Sequence, residues 1–494
     1  MSGVAEPHLD RHRTPPMIPV DLPFELLAAV LTQAVAATYN DPTLKLPDDC
    51  AFAALELSSV CALWRTVSLQ TPQMWSYVCF DMDWLMPHDI TADRGYRTAR
   101  VPRPKAYVDF LLLCLNRSAR APLSIRISGQ HELTGGSYWP NIVALITPKV
   151  ETLKIDCGSS EWSHLLSFHN TESVLTLLNS DTPLPLLRTL SVRILDEDGT
   201  YHISMDGQWQ GCALSAAPNL ENIQLEGILP KALNTHAWTR LKTFKCNLRH
   251  LDLDISLHDI ARLSPNLASL DIRSRGPYGP APVHIPNLRH IAGDVTRVLQ
   301  LMQRDTTPRI ETLYLCEDRE FSNTVFRAFF RISTYESITV IGMPTPQMVG
   351  DSEEANKFLN ILQFLPNVVR VDLIWNRQSQ KLFRLWSQHA YVVQLPKLQH
   401  LRVTHAHDGL ENCVNDMKTL CSARRAWSGG AILSSTEWKL DWIISGGELV
   451  AFDSIGRSLA EAVQTVRFIS LCDTDREQYS VAATFSSVFS PQNF

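Results

Sequence analysis

Acidic side chains follow several short apolar stretches, and these residues are the best candidates for acid–base chemistry. Asp156, Glu226 and Asp372 each stand at such a position. If the apolar stretches are strands, these carboxylates could act as general acids and bases in a (βα)-type hydrolase. In that hypothesis, the first eighty residues are an accessory helical domain.

Few residues suggest a metal or cofactor site. His405 and His407 would share one face of a strand, but no cysteine or third histidine stands nearby. The eleven cysteines include no C-x-x-C spacing, and the sequence lacks G-x-S-x-G, H-E-x-x-H, Walker and dinucleotide-binding motifs. We therefore expect no metal, no cofactor and free thiols in a reducing compartment.

A repeated pattern of apolar residues runs through the chain beyond residue 140. Each frame has the pattern apolar-x-x-apolar-x-apolar, in which x is any residue. The eleven frames begin at Val150, Leu187, Leu220, Leu241, Leu267, Leu288, Ile310, Ile338, Val368, Leu398 and Val463. Eight of them have a proline two residues before the first apolar position, which ends a helix and extends the chain. The pattern predicts repeated units of helix, proline and short strand.

The L-x-x-L-x-L core resembles that of leucine-rich repeats. The first nine intervals between frames are 21 to 37 residues, and the asparagine ladder of regular members is missing. The resemblance implies an irregular solenoid of alternating short parallel strands and helices. The expected fold class is thus an α/β repeat preceded by a small helical domain.

Polar residues alternate with the apolar ones inside the frames. Strand geometry would place them on the sheet face opposite the core, which favours an open solenoid over the rival closed (βα)8 barrel. We expect this face to meet water and to carry the binding site for a target protein. The candidate target-binding residues are Arg193, Glu226, Lys245, Asp271, Arg273, Tyr314, Asp372 and Arg402, with Ile374 beside them.

Two helices are predicted in the first eighty residues. Pro23 suits the first turn of one helix, in which Leu26, Leu27 and Val30 contribute to an apolar face. A loop follows, and a second apolar stripe begins at Leu57 and ends before Thr71-Pro72. So small a helical unit has a poor core of its own, and something else should complete it.

The order Leu-Pro-x-Glu-Leu-Leu, loop, Val-Cys-x-x-Trp-Arg, Thr-Pro-x-x-Trp resembles the F-box, in particular the F-box-like variant abundant in fungal proteins. The resemblance implies docking on the Skp-type adaptor of a cullin ubiquitin ligase. The residues that it implies for this contact are Leu22, Pro23, Glu25, Leu26, Leu27, Val30, Val60, Cys61, Trp64, Arg65 and Trp75. For Trp64 and Trp75, packing inside the module is an equal alternative.

These observations predict five segments: a disordered tail (1–16), an F-box-like domain (17–80), a connecting helix and strand (81–140), irregular repeats (141–424) and a C-terminal cap with a tail (425–494). The formal charge of −6 and the lack of a basic run argue against nucleic acid as a partner. No run of eighteen apolar residues occurs, so we expect no membrane partner and a cytoplasmic or nuclear location.

The leading hypothesis is a non-catalytic receptor subunit that joins a target protein to the ubiquitin ligase. The alternatives are the hydrolase and an F-box scaffold that causes no degradation.

Overall fold

The computed structural model describes residues 22–40, 52–82, 104–129, 138–159, 183–196, 217–226, 237–248, 257–274, 283–294, 309–316, 335–344, 364–375, 379–388, 395–405, 439–445 and 465–471, with isolated positions between 298 and 423. The predicted tail 1–16, the loop after Asn40 and the residues that follow Leu471 lie outside these ranges.

Three short helices come first in the described chain. They are α1 (Phe24–Asn40), α2 (Ala53–Ser59) and α3 (Ala62–Gln70), followed by a 3-10 turn, Pro72–Trp75. We call this group the helical module. The N–H of Leu27 donates to the carbonyl of Pro23 at 3.0 Å, so Pro23 stands at the start of α1 as its missing N–H allows.

The single helix predicted after the loop is broken at Cys61. Cys61 has an extended backbone, and its sulfur accepts the N–H of Trp64 at 3.5 Å, so it caps α3. Just before it, the hydroxyls of Ser58 and Ser59 donate to carbonyls three residues back, each at 2.7 Å. Serine side chains that bond the backbone locally compete with a continuous helix, and the result is two helices in place of one.

A parallel sheet follows, with fourteen strands in the described part of the chain. The strands are β1 (Tyr77–Asp81), β2 (Leu123–Gly129), β3 (Val150–Ser159), β4 (Thr189–Asp196), β5 (Asn222–Glu226), β6 (Thr243–Leu248), β7 (Ser269–Ser274), β8 (His290–Asp294), β9 (Thr312–Cys316), β10 (Val340–Pro344), β11 (Arg370–Trp375), β12 (His400–His405), β13 (Lys439–Ser445) and β14 (Thr465–Leu471).

Helices connect several of these strands. α4 (Pro104–Arg117) lies between β1 and β2, α5 (Trp139–Ile146) precedes β3, α6 (Leu257–Leu263) precedes β7, and α7 (Ser379–Trp386) precedes β12. Short 3-10 turns, Ala237–Arg240 and Tyr335–Ser337, precede β6 and β10. The alternation of strands with helical segments confirms the α/β class.

The strand order in the sheet is the order in the sequence, from β1 to β14. Among the described strands, each pairs in parallel with the one before and the one after it, and β1 and β14 do not pair with each other. A closed eight-stranded barrel would join its first strand to its last. The sheet is therefore an open, repeat-like ladder.

All eleven predicted frames fall on strands, but the sheet is longer than the predicted repeat region. The ten frames from Val150 to Leu398 give β3 to β12, and the frame at Val463 gives β14. The strands β1 and β2 extend the ladder before residue 141. β13 extends it inside the segment predicted as a cap, where no frame was recognised.

One apolar core joins the helical module to the sheet. Leu31 of α1 and Val67 of α3 belong to the same buried cluster as Ile125, Leu153 and the inward residues of later strands. Trp75 is also in this cluster; its indole N–H donates to the carbonyl of Ser68 at 2.7 Å. The core that the module lacks on its own is thus supplied by the first strands of the sheet.

Asparagines at the turns before the strands form a ladder of hydrogen bonds between repeats, at a position different from that of the asparagine that follows the L-x-x-L-x-L core in regular leucine-rich repeats. The side-chain amides of Asn219, Asn266, Asn287 and Asn367 donate to backbone carbonyls of Pro185, Thr239, Pro265 and Glu336, at 2.7 to 2.9 Å. Each acceptor occupies the equivalent turn position of the preceding repeat. The signal was present as the recurring Pro-Asn before the first apolar residue of a frame, a pair that suits the centre of a turn.

We predict that Asn287→Ala lowers the free energy of unfolding by about 1 kcal/mol, because the carbonyl of Pro265 loses a donor at a partly solvated site. Urea denaturation measures the change. Asn287→Asp keeps the size and removes the donor, so it should cost at least as much. Asn116→Ala, on α4, is the control; equal midpoints for Asn287→Ala and Asn116→Ala would contradict a stabilising ladder.

The outer edge of the sheet at β1 is covered by α4. The Tyr107 hydroxyl donates to the carbonyl of Cys79 at 3.0 Å and accepts the N–H of Asp81 at 2.8 Å. Tyr107 is buried, so these two backbone groups of the edge strand are satisfied away from water.

Tyr107→Phe should therefore lower the free energy of unfolding by about 1–3 kcal/mol, since the N–H of Asp81 stays buried without its acceptor. The matched control is Tyr138→Phe, because Tyr138 is exposed. Urea unfolding followed by circular dichroism distinguishes the two variants. Identical stability would show that water replaces the hydroxyl at this edge.

Candidate functional site

The helical module exposes several large apolar side chains. On α1 and just before it these are Leu22, Phe24, Leu26 and Val30, and on or beside α2 and α3 they are Leu55, Val60, Leu63 and Leu69. We call this set the apolar surface. Leu26, Val30, Val60 and Leu63 expose between 54% and 61% of their area, which is costly for aliphatic side chains unless a partner covers them.

The apolar surface arises because α1 is apolar on more than one face. Leu27, Leu31, Val35 and Tyr39 recur every four residues and are buried. Leu26 and Val30 stand one residue before members of that stripe, which turns them about 100° around the helix axis toward solvent. A helix of an isolated globular domain would carry polar residues there.

Two residues expected to contact an adaptor are buried inside the chain. Leu27 is 4% and Trp75 is 1% exposed, so neither offers surface to a partner. Trp75 also stacks under the Arg117 guanidinium, whose carbon lies 4.4 Å from the ring centroid. Both residues lie in the apolar core that the module shares with the sheet, so Leu27 does not form the implied adaptor contact, and for Trp75 the alternative of packing inside the module holds.

The other expected contact residues lie at the surface of the module. Leu22, Pro23, Glu25, Leu26, Val30, Val60, Cys61 and Arg65 are exposed. Trp64 is half-buried and packs against the core from outside. Of the two tryptophans, Trp75 therefore holds the module together, and Trp64 alone reaches the surface.

Sequence reasoning missed Phe24, Leu55, Leu63 and Leu69 as parts of the apolar surface. Leu63 and Leu69 lie off the stripe that begins at Leu57, so that stripe alone gave no reason to group them. The available signal was an excess of leucine on helices too short to bury two faces.

The sheet carries polar side chains on the face opposite the apolar core, which we call the polar face. Its described charged members are Asp81, Arg126, Lys154, Asp156, Arg193, Glu226, Lys245, Asp271, Arg273, Arg370, Asp372 and Arg402. On β3, for example, Lys154 and Asp156 alternate with the buried Leu153 and Ile155. Strand alternation therefore places these residues as the sequence predicted.

Ion pairs link the polar face from β2 to β5, and a hydrogen bond continues the link to β6. Asp156 lies between Arg126, at 3.1 Å, and Arg193, at 3.5 Å. Arg193 also reaches Glu226 at 3.5 Å, and Glu226 accepts the side-chain amide of Asn247 at 3.2 Å. The four charged side chains keep between 19% and 38% of their area exposed, so this part of the face meets water.

Farther along, the polar face is buried, which corrects the expectation that all of it is solvated. Asp271, Arg273, Tyr314 and Asp372 are each 5% exposed or less. Within β7, Arg273 donates twice to the Asp271 carboxylate, at 3.0 and 3.1 Å. These four candidate target-binding residues are thus engaged within the protein and cannot contact a target where they stand.

A tyrosine reaches across a strand in this buried part. The Tyr314 hydroxyl donates to the Asp372 carboxylate, and Arg370 donates to the same group at 2.8 and 2.7 Å. Gly342 of β10 lies between Tyr314 and Asp372 in the strand register. Burial and the Asp372 carboxylate raise the pKa of Tyr314 above its usual value, so the phenol stays a donor.

The remaining candidates on this face are half-buried. Lys245 and Arg402 belong to this class, as do Arg193 and Glu226. Arg402 stands directly opposite Asp372 in the register of β11 and β12. The side chain of Ile374 is outside the described part.

The candidate acids and bases are paired with cations. Asp156, Glu226 and Asp372 each contact an arginine. Within the described residues there is no group of three side chains that could hold a metal ion. His407 lies outside the described residues, and of His405 only the backbone is described. The three carboxylates are therefore held by contacts within the sheet.

Gly342→Ala should destabilise the protein by roughly 2–3 kcal/mol, because a Cβ there would collide with the Tyr314 ring and break its bond to Asp372. Thermal and urea unfolding report the change. In a Tyr314→Leu background, the same Gly342→Ala change should cost much less. An equal cost in both backgrounds would mean that the backbone, and not the ring, requires glycine.

The described helices include none long and apolar enough to cross a membrane. A scan against models of known protein families finds no match, and a search of the curated proteins finds none either.

Proposed function

We propose that this protein is the target-receptor subunit of a ubiquitin ligase of the Skp, cullin and F-box type. In this proposal, the apolar surface of the helical module binds the Skp-type adaptor, and the polar face of the sheet binds a target protein. The chain itself makes or breaks no bond; it raises the local concentration of the target near a ubiquitin-loaded enzyme.

The observation that carries the proposal is the apolar surface itself. Eight exposed aliphatic and aromatic side chains lie on or directly beside three consecutive helices that contact one another. Exposed apolar residues grouped on one small module are typical of protein interaction sites in folded chains. Five of them, Leu22, Phe24, Leu26, Val60 and Leu63, lie within the Leu-Pro-x-Glu-Leu-Leu and Val-Cys-x-x-Trp-Arg segments that carry the F-box resemblance.

The shared core suits this role. Because α1 and α3 pack into the cluster of the first strands, a bound adaptor would have a fixed orientation relative to the polar face. A flexible tether would spread the target over a larger volume and lower its effective concentration. The scaffold alternative predicts the same adaptor binding and differs only in the fate of the bound protein.

We expect the double variant Leu26→Glu, Val60→Glu to reduce adaptor binding at least tenfold, since both side chains would place a carboxylate in an apolar contact. The measurement is co-purification of a Skp-type adaptor and cullin with the tagged full chain. Leu145→Glu on α5 is the control, because Leu145 is exposed but lies outside the module. Absence of adaptor from the unmodified sample would refute the receptor role.

The fate of the target separates the receptor from the scaffold. If the adaptor binds, silencing the gene should raise the abundance of at least one protein that co-purifies with the chain. Unchanged abundance of all such proteins would favour the scaffold.

A further inference from the structure

The part of the polar face between β2 and β6 carries more positive than negative charge. Its described cations are Arg126, Lys154, Arg193 and Lys245, and its described carboxylates are Asp156 and Glu226. The excess of two positive charges contrasts with the formal charge of −6 for the whole chain. We call this region the basic strip.

The neighbours of the basic strip do not cancel the excess. Beyond β6, Asp271 and Arg273 form a buried pair without net charge. Before β2, Asp81 lies on the same face and adds one carboxylate, which still leaves an excess of one positive charge. At β3, the C-terminal end of α1 touches the strip: Lys154 donates to the Asn40 side chain at 3.1 Å, in a hydrogen bond that is open to solvent, and lies 5.1 Å from the Tyr39 ring centroid. Neither of these groups brings a negative charge.

The pKa of each lysine in the strip is lowered, first of all by burial. Burial lowers the pKa of Lys154 and of Lys245, and neighbouring arginines lower both further, against the opposing effect of Asp156 and Asp271. A protonated lysine with a lowered pKa is less stable in the fold than in water, and this cost is present at neutral pH. It is relieved only as the pH rises toward the ordinary lysine value of 10.5.

We propose that the basic strip binds an extended acidic segment of a polypeptide. Five parallel strands about 4.8 Å apart span about 19 Å, which matches about six residues of extended chain. Two carboxylates within that length would balance the excess charge of the strip. The net negative charge of the whole chain disfavours long polyanions, so a locally acidic peptide fits better than a nucleic acid.

This inference rests on the proposed function in one respect: the acidic segment would belong to the target protein of the receptor. The binding itself is measured without an adaptor. Failure of the adaptor experiment with retained peptide binding would remove the receptor role and keep the basic strip as a peptide site. The reverse result would keep adaptor docking and remove the site.

The test uses the purified full chain and a fluorescein-labelled ten-residue peptide of alternating Glu and Ser, followed by fluorescence anisotropy at low salt. We expect binding that weakens with added salt and a loss of affinity of about tenfold in the Arg193→Gln, Lys245→Met variant. The control variant is Arg188→Gln, Lys242→Gln. These two cations are more exposed and paired with Glu151 and Glu221 at the starts of neighbouring strands.

A second variant distinguishes a loss of peptide binding from a loss of folding. Lys245→Met alone removes a charge that burial penalises, so it should be at least as stable as the parent and still bind more weakly. Equal loss in the strip and control variants would overturn the proposal, as would no binding by the parent. Equal or tighter binding of a ten-nucleotide single-stranded RNA would also overturn it.

Discussion

The apolar core shared by the helical module and the first strands is the constraint on which the arrangement depends. Trp75, at the end of the module, is buried against the sheet, and Leu31 and Val67 join the same cluster. Three helices of this size bury too little surface to fold stably alone. The sheet stabilises the module through the shared core. The other side of the module, which is the apolar surface, stays uncovered.

Most strands of the sheet were predictable because the same sequence pattern recurs in each repeat. Each unit must end a helix, extend and bury alternate residues, and proline followed by the L-x-x-L-x-L pattern meets all three needs. The strand β13 was not predicted, because Glu437 occupies the position of the first apolar residue of its frame. Its pairing with β12 and β14 supplies the backbone hydrogen bonds that a local pattern does not reveal.

The sites were less predictable than the strands, because a site depends on what lies opposite each side chain. Trp64 and Trp75 have the same residue type and similar surroundings in sequence, yet only Trp75 is fully buried in the shared core. Tyr314 and Asp372 are 58 residues apart and meet because Gly342 leaves room between them. The alternation of polar residues predicted the polar face of the sheet correctly, but the spacing of the charged residues does not predict which of them form ion pairs.

Buried ion pairs and exposed cations divide the polar face into two parts with different physical roles. A one-residue slip of β7 would turn Asp271 and Arg273 into the apolar core, so their burial as a pair fixes the register of the central strands. Removing one member of such a pair is costly, since the other charge stays buried without compensation. From β2 to β6 the charges are unequal in number and partly exposed, so they contribute less to register. Ionic surface of that kind is better suited to an outside partner than to holding the fold together.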